Sequence, residues 1–171
     1  MQGFSDAVDR LVDLIGRAAS WLTLAIVVLM ASNVLLRYAF GIGSVWSQEL
    51  EWHLLAPLVL VGMTYALNKG EHVRVDVFYA RYSARTQAAV DMLAALLALA
   101  FAGLMIRYAI GYVLQSYSID EISPDPGGLT HRWVLKALIP LGFALFALQA
   151  SAQGVAAALR FKAASRNWAQ P

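Results

Sequence analysis

Residues 37–76, RYAFGIGSVWSQELEWHLLAPLVLVGMTYALNKGEHVRVD, set charge directly beside membrane-type apolar sequence, and their order dictates how the chain is organised. An Arg-aromatic end (Arg37, Tyr38, Phe40) meets a Gly-Ser turn (Gly41, Gly43, Ser44). A Trp-acid entry (Trp46, Glu49, Glu51), an apolar run and the basic-acidic exit from Lys69 to Asp76 follow. The pattern reads as the end of one membrane helix, a tight reversal and a second membrane helix. Only Leu54 to Leu67 is free of charge, and those fourteen residues rise about 21 Å against roughly 30 Å of hydrocarbon. A full crossing therefore starts near Trp46 and carries Glu49, Glu51 and His53 into or close to the headgroup layer. Charges at that depth are paired or covered by protein. Arg37 ends the preceding helix at the same face, and the turn folds the chain back, so an Arg37–Glu49 pair is the expectation.

Outward from this stretch, composition sets the class. The chain has 171 residues, 60% apolar and 14% charged, outside the usual balance of a soluble domain. At roughly 20 apolar residues per crossing, it holds about four spanning helices in a single all-α membrane domain. Upstream, residues 4–17 place Phe4, Val8, Leu11, Val12 and Ile15 at helical spacing with charges between them, an amphipathic lead-in helix. The acidic start and the long apolar segment behind it argue against a cleaved signal peptide. The first span covers about 18–36, and its one strongly polar residue, Asn33, is suited to a helix-to-helix hydrogen bond. The second covers about 46–68.

Downstream, Lys69, Arg74, Arg81 and Arg85 interleave with Val73, Val75, Val77, Phe78, Tyr79 and Tyr82, the pattern of a segment lying on the membrane surface. Span three covers about 88–114. Ala94, Ala98 and Ala102 recur in it every fourth residue as a small-residue seam. Asp91 and Arg107 are read as its two ends; sixteen residues, about 24 Å, keep them from pairing, and snorkelling to opposite interfaces accounts for both. A polar, Pro- and Gly-broken loop leads to the fourth span, about 133–159, with Pro140 and Gly142 marking a kink and Ala147/Ser151 and Ala150/Gly154 further small pairs.

Short connections divide the cations. Arg10, Arg17, Lys69, Arg74, Arg81, Arg85, Arg160, Lys162 and Arg166 fall on one side, and Arg37, Arg132 and Lys136 on the other. Retention of positive residues inside then puts both termini in the cytoplasm. A formal charge of +2 gives no reason to expect nucleic acid. With zero cysteines there is no thiolate ligand or Cys nucleophile, and three histidines cannot supply paired axial ligands for two haems. Glu49 and His53, four apart, could share a metal only if further ligands joined them. No phosphate-cradling Gly motif or G-x-S-x-G is present. Small multidrug exporters need an ionisable residue at mid-membrane, whereas here every charge is read near a span end. The reading is a non-enzymatic helper subunit without cofactor or metal.

The order Arg37, Phe40, Trp46, Glu49, Gly62 and then Glu71-His72-Val73-Arg74-Val75-Asp76 resembles the small membrane subunit, Q-type, of tripartite ATP-independent periplasmic (TRAP) transporters. Ser123-Pro124-Asp125-Pro126-Gly127-Gly128-Leu129, Arg132-Trp133 and Lys136-Ala137-Leu138-Ile139-Pro140 are similar to one branch of that family. Gln48 departs from the pattern, standing where many members have the first of two adjacent acids. The resemblance implies a bacterial inner-membrane, sodium-driven symporter for an organic acid, with carboxylates the expected class. A periplasmic binding protein delivers the acid to a large M-type membrane subunit, which holds the sodium and substrate sites. This chain, bounded by membrane lipid, is then the scaffold beside it, with Arg37, Trp46, Glu49, His72, Asp76, Asp91 and Arg107 as structural or interface residues. His72 and Asp76 are expected to hydrogen-bond within the subunit and hold the basic surface segment. Two other readings stay open: an autonomous small four-helix transporter, and a membrane-anchor subunit of another complex.

Overall fold

A computed structural model describes residues 2–71 and 79–168. Among them the chain is four helices joined by short connections: α1 (Gln2–Phe40), α2 (Val45–Lys69), α3 (Ala84–Ser118) and α4 (Trp133–Trp168). Each contains a stretch long and apolar enough to cross a membrane. The amphipathic lead-in and the first span are one uninterrupted helix of 39 residues, about 58 Å long. Nothing between Gly3 and Phe40 breaks it, because Gly16 is used for packing rather than as a stop: the Tyr65 ring of α2 lies where a Cβ at Gly16 would be. The reversal after α1 is closed by Gly41 at φ +66°, and Ser44 caps α2 by accepting from the Ser47 N–H. At the other end Gly70, at φ +75°, returns its N–H to the last carbonyls of α2.

α4 packs against each of the other three helices, while α1 lies against α2 and α3 closes chiefly on α4 by an extensive interface. Its seam on α3 differs from the expected four-residue period. Ala88, Ala95, Ala102, Ala109 and Ser116 are buried at intervals of seven, Ala94 is exposed, and Ala98 flanks the row. A seven-residue small stripe suits an antiparallel pair at a shallow angle, with Gly154 of α4 set against Ala95. The main core joins Leu67, Ala102, Phe143, Phe146 and Ala150 from three helices, and a second cluster seats Val8 and Val12 on Ala152. Gly142, expected at a kink, lies inside the continuous α4, where the Leu60 side chain of α2 presses on its bare Cα.

Along α2, Glu49 and Lys69 stand twenty residues apart, about 30 Å, the thickness of a hydrocarbon core. Outward from the bundle, α1 and α3 expose broad apolar faces, Val27, Val28 and Leu35 on one and Leu93, Leu97 and Leu104 on the other.

Candidate functional site

At the end of the bundle where α2 begins, Glu49 is 3% exposed, its carboxylate enclosed by protein. Its Oε1 accepts from the Ser123 hydroxyl and its Oε2 from the Leu129 backbone N–H at 2.5 Å. Both donors belong to the loop between α3 and α4. That loop is folded for the purpose: Ser123 N–H donates to the Leu129 carbonyl at 3.1 Å, Gly128 N–H to Asp125 O at 3.0 Å, and Asp125 N–H to Ser123 Oγ at 3.2 Å. Gly127 supplies the positive φ of +81° that the turn needs. A Cβ on Gly128 would strike Ser123 and the carboxylate together, so only glycine lets the backbone approach.

Arg37 is therefore not the partner of Glu49. It is exposed and makes no ion pair among the described residues, while the carboxylate is satisfied from the opposite side of the chain. A pair of fixed donors from an ordered loop covers a membrane-depth carboxylate as well as a cation does, without the cost of desolvating a guanidinium. Trp46 is half-exposed one turn before Glu49. His53 Nδ1 lies 2.7 Å from the Glu49 backbone carbonyl one turn earlier in α2. Asn33 donates to Glu51 Oε1 at 2.6 Å, the helix-to-helix bond expected of it, and joins α1 to α2.

Beside this loop, Lys136 pairs with Glu121 and its Nζ lies 3.9 Å from the centre of the Tyr112 ring. Tyr117 and Trp133 meet edge to face, centroids 5.5 Å apart. Glu121 lies in the connection between the helices. Hydrogen bonding from Lys136 is the main cause that holds its carboxyl below the ordinary glutamate range, against the opposing effect of its partial burial.

The opposite end of the bundle is a second polar junction. Asp9 of α1 accepts from Asn68 of α2 at 2.9 Å and from Gln149 of α4 at 2.7 Å, so one carboxylate ties three helices. Asp13 takes Lys69 at 2.5 Å and Arg17 at 2.6 Å, and Gln153 donates to the Leu67 carbonyl at 2.5 Å. Asp91 accepts from the Tyr79 hydroxyl at 2.9 Å and pairs with Arg160 at 3.1 Å. His72 and Asp76 lie outside the described residues.

Arg107 is not at a span end. On α3 it falls between Phe101, whose ring meets Phe143 of α4, and Tyr112, which meets Lys136. That stretch of α4 includes Gly142, pressed by Leu60, which lies eleven residues from Glu49 and nine from Lys69. The register carries Arg107 to near mid-depth, exposed, with no ion pair among the described residues. A charge at this level is not near a span end, so an exporter is not set aside on that ground. α3 extends four residues past the expected span at each end, 84–118 against 88–114, so its own ends do not fix the depth of Arg107; the register with α4 does.

Sequence reasoning missed Ser123, Leu129, Asp9, Gln149 and the Lys136–Tyr112 contact. Gly127-Gly128 in a Pro-broken loop was the available signal for the first two. Among the described residues no three His, Cys, Asp or Glu side chains gather as a metal site. The carboxylates within the bundle are bonded to its own side chains and backbone, so the arrangement locks helices together rather than presenting a reactive group.

A family model described as "Tripartite ATP-independent periplasmic transporters, DctQ component" matches residues 7–160. The chain is 26% identical over 127 residues to the ectoine TRAP transporter small permease protein TeaB of Halomonas elongata, covering 72% of this chain and 65% of that one. It is 29% identical over 102 residues to the C4-dicarboxylate TRAP transporter small permease protein DctQ of Pseudomonas aeruginosa, covering 58% and 48%. The matched part is thus between about half and two thirds of these relatives' own length.

Proposed function

Since the chain belongs to the DctQ-component family of tripartite ATP-independent periplasmic transporters, we propose that it is the fixed membrane scaffold of a sodium-coupled importer of an organic acid. Its partners in this reading are a large membrane subunit, which carries the substrate and sodium sites, and a periplasmic binding protein. The observation that carries the scaffold role is the state of the carboxylates: Glu49, Glu51, Asp9, Asp13 and Asp91 are each engaged by groups of this chain. These bonds join one helix to another or to a connecting segment, and the ties resist relative motion of the helices. A carboxylate substrate is supported by one relative's C4-dicarboxylate name, the other being named for ectoine.

The protein sits in the inner membrane with both termini cytoplasmic, supported by the distribution of cations in the connections. Reconstitution tests the function. The chain alone gives no sodium-dependent uptake of organic acids, and uptake appears when the large subunit and binding protein are added. Robust uptake by the chain alone would replace this reading with an autonomous transporter.

A further inference from the structure

We infer that the outward face of α3, centred on Arg107, is the surface on which the large membrane subunit docks, and that a carboxylate on one of that subunit's spanning helices receives the Arg107 guanidinium. The inference rests on reading the chain as the small subunit of such a transporter. Its physical basis is a cation in the wrong solvent. Arg107 is exposed on a face otherwise built of Leu93, Leu97, Leu104 and Tyr108 and has no ion-pair partner among the described residues. Through the α3–α4 and α4–α2 contacts it stands about as far from the level of Glu49 as from that of Lys69, close to the middle of the hydrocarbon.

Snorkelling does not resolve it. The Cα–Cβ bond of a helical residue tilts toward the helix N-terminus, here the inner side, and the Lys69 level is nine residues of helix, about 13 Å, beyond Leu60. A guanidinium held at mid-depth is costly unless another protein group neutralises it. The face also admits a close neighbour: Gly103 and Gly111, one turn either side of Arg107, have open space where a Cβ would be.

A second copy of this chain does not fit, because a two-fold contact centred here would set the cation near its own image. Lipid alone covers the α1 face, whose Leu24, Val27, Val28 and Leu35 ask for nothing more. The cation distinguishes α3, and its complement is an acid.

The test uses the co-expressed complex. Arg107→Leu lowers recovery of the large subunit with the tagged chain by about tenfold or more, the scale expected when one desolvated charge pair is lost, while Arg107→Lys keeps much of it. A photo-reactive phenylalanine analogue at Tyr108 in the otherwise native chain cross-links to the large subunit, and the same probe at Val27 does not. Unchanged recovery for Arg107→Leu, or Tyr108 cross-links confined to a second copy or to lipid, would overturn the docking face. If the native chain recovers no large subunit at all, the function proposed above fails, and this inference with it; a native complex that cross-links from Val27 removes the inference alone.

Discussion

The Glu49 carboxylate and the Ser123 hydroxyl are hydrogen-bonded across 74 residues of chain, closing the N-terminal end of α2 onto the loop that precedes α4. The bond makes the loop a lid on a membrane-depth acid and gives the Pro-Gly sequence of residues 123–129 a physical purpose. In a double-mutant cycle on the stability of the purified subunit, Glu49→Gln with Ser123→Ala couples, whereas Glu49→Gln with Arg37→Ala is additive. Coupling to Arg37 in place of Ser123 would reverse this assignment.

Gly128→Ala drives a methyl group into Ser123 and Glu49 at once, and overpacking of this kind costs about 1–3 kcal/mol. The same substitution at Gly43, where a Cβ meets open space, is nearly neutral. Thermal unfolding in detergent compares the two.

Asp9→Ala leaves the amide of Gln149, only 1% exposed, without its acceptor. The expected loss is about 1–3 kcal/mol. Adding Gln149→Leu removes the stranded donor, so the double variant is more stable than Asp9→Ala alone. Denaturant titration of the three proteins resolves the order.

Acidification loosens the Glu121–Lys136 tie. Because the folded protein holds the Glu121 carboxyl below its unfolded value, the contribution is complete above the ordinary glutamate range and is lost as pH falls through the folded value. The stability of the native chain therefore falls more steeply with acid than that of Glu121→Gln, read as melting temperature against pH. Parallel curves would remove Glu121 from the acid response.

On the proposed topology, with both termini inside, a cysteine at Ser165 is shielded from an impermeant thiol reagent in intact cells and one at Ser123 is labelled. The opposite pattern would invert the topology.

The helices were legible because each combines a long apolar run with end signals: Ser44 before α2, Gly70 after it, and the broken loop before Trp133. Partners were not. Arg37 is the cation nearest Glu49 in sequence, yet the carboxylate is satisfied by a hydroxyl and a backbone N–H, groups that leave no charge in the sequence to notice. The α3 seam was misread for a related reason. Alanines recur in that helix at intervals of both four and seven, and only the course of α4 decides which row is covered. Depth was lost in the same way: Arg107 could be placed only once α3 was in register with α4.

Of the four helices, the one that touches all the others is the last to leave the ribosome. Until Trp133–Trp168 has entered the membrane, α1 and α2 hold only each other, the alanine row of α3 faces lipid, and the loop that covers Glu49 is tethered at one end. Consolidation of these four helices thus waits on α4. A translation product halted before Trp133 therefore exposes an uncovered acid and an unfilled seam, the two features that the arrival of α4 removes.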